Sequence, residues 1–138
     1  MSDGYGVGDA SYRAAGGRDG IARLVERFYV HMDTLVEARG IRAMHGADLA
    51  AVREKLAVFL CAWLGGPNDY RARFGPISIP GMHARFAIDA PERDAWLTCM
   101  ARAVDEQPWA PAFKAYFLRA IAVPAERVRV ASVMRRAE

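Results

Sequence analysis

The sequence predicts an all-α domain, and three observations support that prediction. Apolar residues recur at steps of three and four in four separate segments, which is the pattern of a helix with one buried face. Two of these segments follow an aspartate, Asp48 or Asp89, in the position of a helix N-cap. Almost no segment has the alternating pattern of a half-buried strand.

The first long helix is predicted from Ile21, because apolar residues follow at helical steps as far as Met32. Tyr29 lies on the same inward face. The glycine-rich stretch GGRDG at 16–20 is predicted to separate this helix from a shorter helical segment at 10–15.

A short helix or a turn is predicted over residues 34–44. A second long helix is predicted from Asp48, with apolar residues at helical steps as far as Trp63. The string LGGP at 64–67 ends this helix, because Gly65 is able to adopt a left-handed C-terminal conformation and the proline cannot continue the helix.

Residues 67–82 contain three prolines and predict an irregular segment, except for one turn near Tyr70. The string DAPE at 89–92 is a capping box with proline in the first turn, and it predicts the start of the next helix.

The last helix is predicted from about Pro111, with an interruption or kink near Pro124 and a resumption over residues 125–136. The chain length predicts one domain. We expect a flexible N-terminal extension over residues 1–10 and a single folded domain over residues 11–138.

Composition excludes several classes of function. Charged residues make up 25% and hydrophobic residues 53% of the chain, which is typical of a globular protein. The net charge of +3 is scattered and not gathered into basic runs, so neither nucleic-acid nor membrane binding is expected. No signal peptide or membrane-spanning run is visible, which predicts a cytoplasmic location. Cys61 and Cys99 lie in helical patterns, and we expect buried reduced thiols.

The three histidines are the residues of greatest chemical interest, because searches for phosphate-binding loops, HExxH, CxxC and nucleophile elbows find nothing. A metal site built from several histidines is disfavoured, since the chain has only three, His31, His45 and His83. His31 falls off the apolar stripe, which predicts an exposed side chain. One imidazole in an apolar, aromatic slot is sufficient to ligate a heme iron. The alternative is that His83 is a structural or surface residue.

Several strings together closely resemble the group II truncated hemoglobins. They are LAAVREKLAVFLCAWLGGPNDY, MHARFAIDAPERDAWLTCMARAVDE, FYVHMD and IRAMHGADL, and the similarity covers roughly residues 12–122. The resemblance implies a shortened globin fold, a two-over-two helical sandwich around one heme b (iron protoporphyrin IX).

The resemblance also implies roles for individual residues. His83 matches the proximal histidine that binds the iron, and Tyr29 and Trp96 match distal residues that donate hydrogen bonds to the bound ligand. His45 matches a variable distal position, where its side chain faces either the pocket or the solvent. Residues expected to contact the heme through apolar surface are Leu56, Phe59 and Leu60 on the distal wall, with Phe86 and Ile88 near the proximal edge.

The chain departs from the family in the segment before the proximal histidine. Family members carry arginines there that pair with the heme propionates, whereas this chain reads PISIPGMH. Propionate pairing then falls to Lys55, Arg85 or Tyr70, or is left to solvent. Val52 occupies the position that often holds a distal histidine in longer globins. Its side chain is apolar and has no hydrogen-bond donor.

Two classes of function follow from these residues. The first is a heme protein that binds or transports O2 and also takes NO, CO or peroxide, with an unidentified reductase. Nitric oxide dioxygenase and peroxidase-like activities are left open, as is a monomeric or homodimeric state. The second is a heme-free globin-fold sensor or interaction module, suggested by the missing arginines.

Overall fold

The computed structural model describes residues 4–45, 48–74 and 87–137. No strand is present within these ranges, and the all-α prediction is confirmed. One 3-10 turn, Val36–Ala38, lies between the second and third helices. The helices are α1 (Ala10–Ala14), α2 (Gly17–Thr34), α3 (Arg39–Ala43), α4 (Ala50–Trp63), α5 (Tyr70–Phe74), α6 (Ala90–Asp105) and α7 (Pro111–Arg136).

Helix α2 lies at the centre of the fold, where it packs against both α4 and α6, and α6 packs in turn against α7. The apolar stripe predicted from Ile21 to Met32 is the buried face of α2, on which Ile21, Leu24 and Phe28 are completely inaccessible. Helical spacing therefore identified the central core element correctly.

The two predicted aspartate signals are found at the helix starts. Asp48 accepts a hydrogen bond from the backbone N–H of Ala50 at 2.9 Å. The capping box before α6 is formed, with the backbone N–H of Asp89 donating to the Glu92 carboxylate at 2.8 Å. Each bond satisfies an amide that has no partner within the helix.

Gly65 ends α4 in the left-handed conformation, as predicted, with φ of 90°. A β-carbon at this position would lie 1.9 Å from the carbonyl oxygen of Gly8. Glycine is therefore required both by the backbone angle and by the close approach of the N-terminal segment.

The N-terminal segment is packed against α7 from the first described residues onward. The Tyr5 ring lies 5.1 Å from the Phe113 ring and 5.3 Å from the Tyr116 ring. The backbone N–H of Gly6 donates to the Ser11 hydroxyl at 2.9 Å. The flexible extension expected over residues 1–10 stays a prediction. The contacts of Tyr5 and Gly6 argue against it.

The start of α2 differs from the prediction. We expected GGRDG to separate two helices, but α2 begins within it, at Gly17. The change of direction after α1 takes place at Gly16, whose φ of 89° is left-handed. Gly20 lies inside α2, where the absence of a side chain lets the helix approach the Ala15 carbonyl, 1.8 Å from the position of a β-carbon.

Of the two outcomes predicted near Pro124, the interruption is wrong, because α7 runs unbroken for 26 residues with Pro124 inside it. A kink at this position stays a prediction. Proline removes one backbone hydrogen bond from a helix, and tertiary contacts must support the following turns. Such contacts are present: Arg93 of α6 holds Glu126 at 3.1 Å, two residues beyond the proline.

The prediction of buried, reduced cysteines is confirmed, since Cys61 and Cys99 are both free and buried. Burial raises the pKa of the Cys99 thiol to about 11. Across the described ranges, none of the helices combines the length and apolar character that crossing a membrane requires.

The prediction that His31 is exposed is wrong. Its side chain is only 15% exposed, and its Nε2 lies 2.6 Å from the Glu106 carboxylate. Arg27 donates to both oxygens of the same carboxylate, at 2.9 and 3.2 Å. The cluster ties α2 to the residue that follows α6, which explains why a polar side chain is held there.

Glu106→Gln is expected to lower the free energy of unfolding by at most about 1 kcal/mol, because the ion pair is partly exposed to solvent. Hydrogen bonds from Arg27 and His31 lower the pKa of Glu106 from 4.5 to about 2 in the folded protein. The stabilisation is therefore complete above pH 4.5 and is lost as the pH falls through 2. Denaturant unfolding of both proteins near neutral and near pH 2 tests this, and an equal difference at the two pH values would contradict it.

Candidate functional site

An aromatic cluster joins three of the side chains predicted to contact a bound ligand. Phe28 of α2 packs edge-on against Tyr29, with ring centroids 4.9 Å apart, and against Trp96 of α6 at 5.1 Å. His45, after α3, packs edge-on against Tyr29 at 6.0 Å. The fold therefore brings Tyr29, His45 and Trp96 together from three separate elements.

Tyr29 is held as a neutral phenol. Its residue is only 6% exposed, and burial raises the pKa of its hydroxyl, an effect that the positive charge of Arg53 partly opposes. Within the described part of the chain, its hydroxyl makes no hydrogen bond. A neutral, uncommitted O–H in an apolar setting is a strong donor for an incoming polar ligand.

Two tryptophans show how the site differs from the rest of the core. The indole N–H of Trp109 donates to the Ala15 carbonyl at 3.0 Å, which is the usual arrangement for a buried tryptophan. The indole of Trp96 is half-buried and has no hydrogen bond to any residue in the described ranges. Among the described residues, neither this N–H nor the Tyr29 hydroxyl has a hydrogen-bond partner.

One ring nitrogen of His45 is hydrogen-bonded within the described residues. Its Nδ1 lies 2.8 Å from the Ile41 carbonyl oxygen, and because a carbonyl only accepts, Nδ1 carries the proton. The Nε2 of the neutral ring is then an acceptor, and it becomes a donor only when the imidazole is protonated. The half-buried side chain also borders a cavity of about 440 Å³ with Arg39 and Arg42.

Helix α4 forms an apolar surface beside this cluster. Phe59 stacks on Trp63 at 6.4 Å, while Leu56 and Val52 are only partly buried against the core. Leu60, also predicted to contact the cofactor, is completely buried within the core.

The residues predicted to hold the propionates are found in apolar surroundings. The Lys55 ammonium lies 5.6 Å from the centre of the Phe74 ring. Tyr70 is 1% exposed and packs edge-on against Phe59 at 6.3 Å. Propionate pairing by Lys55 or Tyr70 stays a prediction.

Three predicted site residues, His83, Arg85 and Phe86, lie outside the described residues. Ile88, the last of the predicted contacts on that side, is half-buried, and its backbone N–H donates to the Ser132 hydroxyl at 2.8 Å.

The described residues fit a heme. A heme site requires an apolar and aromatic wall, and ligand binding at the iron gains from hydrogen-bond donors on the distal side. Leu56 and Phe59 of α4 have the apolar and aromatic character that such a wall requires. Tyr29 and Trp96 supply two donors that no described residue uses.

Comparison with known proteins identifies the family. The family model described as "Bacterial-like globin" matches residues 10–128. The chain is a bacterial-like globin. A curated relative, Group 2 truncated hemoglobin YjbI from Bacillus subtilis (strain 168), is 31% identical over 97 residues, which are 70% of each chain.

Solved structures similar to this globin place it among the group II truncated hemoglobins. The group II 2-on-2 hemoglobin from Agrobacterium tumefaciens is 34% identical with a TM-score of 0.82, over 86% of this chain and 92% of that one. The cold-adapted truncated hemoglobin from Pseudoalteromonas haloplanktis TAC125 is 30% identical, also with a TM-score of 0.82, over 86% and 95%. The resemblance and the truncated globin fold that the sequence implied are both confirmed. Family membership supports heme-based binding of small ligands as the general activity of this globin.

Sequence reasoning missed two residues of the site. Phe28 was recognised as core, but its contacts with both Tyr29 and Trp96 depend on the packing of α2 against α6. Arg53 was not considered, although its charge acts on Tyr29. The sequence offered one signal for Arg53, which is that it directly follows Val52 on the helix predicted to form the distal wall.

Proposed function

We propose that this globin binds O2 and related diatomic ligands at the iron of heme b, with His83 as the proximal ligand. The observation that carries the proposal is the pair of uncommitted donors, the Tyr29 hydroxyl and the Trp96 indole, joined through Phe28. The buried indole N–H of Trp109, by contrast, has a partner inside the protein, the Ala15 carbonyl.

The two donors act on the charge of the bound ligand. A bound heme would supply the iron that binds O2. Tyr29 and Trp96 would donate hydrogen bonds to the polar end of the ligand and so slow its escape. Burial keeps Tyr29 protonated, so that it remains a donor at physiological pH. The apolar wall of α4 excludes water that would compete for both donors.

Other residues are assigned to holding the heme itself. Leu56, Phe59 and Leu60 are proposed for the distal wall, and Phe86 and Ile88 for the proximal edge. Lys55, Arg85 and Tyr70 are proposed for the propionates, in place of the arginines that this chain lacks.

The wider setting is proposed on the same basis. A reductase, as yet unidentified, keeps the iron ferrous in the cytoplasm, where the protein works as a monomer or homodimer. NO, CO and peroxide are further ligands, and nitric oxide or peroxide turnover uses the same pocket. The free Nε2 of His45 is suited to accept a proton in such a reaction. No feature of the described residues favours the heme-free alternative over these assignments.

The direct test is heme content. The purified protein is expected to be red and to bind about one heme per chain, with an intense absorption band near the violet edge. The ferrous form should give a stable O2 adduct under air. Heme titration of the colourless protein followed by absorption supplies the stoichiometry, and a chain that takes up no heme would contradict the proposal.

A further inference from the structure

A cavity of about 440 Å³ lies where α2 ends and α3 begins. It is lined by the last three residues of α2, by Leu35, by three residues of α3 and by His45. We call it the α3 cavity. Protein sites for small organic molecules measure about 300–1,000 Å³, so the volume of this cavity suits a small ligand.

The charged residues of the α3 cavity leave one positive charge unbalanced. Its lining includes Asp33, Arg39 and Arg42. The Nε of Arg42 donates to the Asp33 carboxylate at 3.0 Å, so the one negative charge is paired with one of the two positive charges. Arg39 has no hydrogen bond or ion pair with any residue in the described ranges. The lining therefore favours an anion over a cation or a neutral molecule.

The two arginines are placed to act on the same ligand. Arg39 and Arg42 are three positions apart on α3, so their side chains share one face of the helix. The ion pair with Asp33 orients the guanidinium of Arg42, whose side chain is 25% exposed. A guanidinium presents its N–H groups in a planar fork that matches the two oxygens of a carboxylate.

Apolar side chains line the same cavity beside the arginines. They belong to Met32, Leu35 and Ala43. Met32 is 1% exposed and Leu35 is half-buried, so these side chains are part of the packed structure. An inorganic anion would gain nothing from them, whereas an organic acid would bury its apolar part there. The lining as a whole therefore matches a carboxylate attached to a small ring or a short alkyl chain.

His45 joins the α3 cavity to the aromatic cluster. The residue lines the cavity, and its ring packs edge-on against Tyr29 at 6.0 Å. The bond between Nδ1 and the Ile41 carbonyl, at 2.8 Å, holds the ring in this place. A ligand in the cavity would thus adjoin a side chain that contacts Tyr29.

We propose that the α3 cavity binds a small organic acid, with the carboxylate at Arg39 and Arg42 and the apolar part against Leu35 and Ala43. The proposal goes beyond the proposed function, because binding in this cavity requires neither heme nor iron. It adds a second ligand site, which adjoins Tyr29 through His45.

Benzoate is the probe for this site, and benzamide, which has nearly the same shape without the charge, is the matched neutral ligand. Binding is followed by NMR of the histidine side chains in the purified protein, in the ferrous CO form where it contains heme. Benzoate should shift the His45 signals with a dissociation constant on the order of 1 mM. The signals of His31, which lies outside the cavity beside Glu106, should stay in place. Benzamide should have no effect on either histidine.

Three variants test the charges of the lining. Arg39→Gln should weaken benzoate binding about tenfold, because it removes the cation that has no counter-ion in the cavity. Asp33→Asn should tighten binding about threefold, since it removes the opposing negative charge. Arg127→Gln is the matched control and should bind benzoate as the parent protein does, because Arg127 is an exposed arginine of α7 outside the cavity.

Several results would overturn the proposal. They are an unchanged affinity in Arg39→Gln, equal binding of benzamide and benzoate, and equal shifts of His31 and His45. Inorganic phosphate that binds as tightly as benzoate would overturn the organic acid in favour of a simple anion. Heme content is measured on the same preparation. A red protein that ignores benzoate contradicts the second site alone, and a colourless protein that binds benzoate contradicts the proposed function alone.

Discussion

His83→Ala is expected to leave the protein without coordinated heme. The imidazole is the proposed bond between protein and iron. The two other histidines are engaged elsewhere, since His31 contacts Glu106 and the His45 ring packs against Tyr29. Absorption and resonance Raman spectra of the variant should lack the features of a histidine-ligated iron.

The control for this experiment is His31→Gln, which removes the histidine of α2 that contacts Glu106 and should leave the heme spectrum unchanged. Imidazole added to His83→Ala should restore an axial nitrogen ligand, because alanine leaves room for the missing ring. A variant that binds heme with the spectrum of the parent protein would show that another residue ligates the iron.

Local signals were sufficient to predict most of the helices. The capping box at Asp89 and the left-handed Gly65 depend on residues adjacent in sequence, and both are found as predicted. Asp48 accepts from the first amide of α4, but the N-cap residue is Leu49, one position later than predicted. Helical spacing likewise gave the buried face of α2. Such features are specified within one or two turns, so that no knowledge of the remaining chain is needed.

The errors come from contacts between distant residues. Pro124 was predicted to interrupt the last helix, but Arg93, which pairs with Glu126, supports the turns after it. His31 was predicted to be exposed because it lies off the apolar stripe, yet Glu106 lies beside it after α6. In both cases a partner more than 30 residues away decides the outcome, and no local pattern reports it.

The candidate site divides in the same way. Tyr29, Trp96 and His83 were selected from the family resemblance, since neither spacing nor burial singles out a donor from an ordinary core residue. The fold adds the hydrogen bonding of the donors. The indole N–H of Trp109 donates to the Ala15 carbonyl, whereas that of Trp96 has no partner among the described residues. For His45 the fold adds the bond of Nδ1 to the Ile41 carbonyl, while its orientation toward the pocket or the solvent stays a prediction.

Tyr29→Phe and Trp96→Phe are each expected to speed O2 release. Each removes one donor, worth about 1–3 kcal/mol in a dry site, or roughly five- to 150-fold in rate. Phenylalanine preserves most of the ring that packs against Phe28, so the fold should be retained. Stopped-flow displacement of O2 by CO measures the rate for each variant.

Trp109→Phe is the matched control, because it also removes an indole N–H from a tryptophan in the core. The lost bond to Ala15 should reduce the free energy of unfolding by about 1 kcal/mol and leave O2 release unchanged. Unchanged release in both Tyr29→Phe and Trp96→Phe would transfer ligand control to His45 or water.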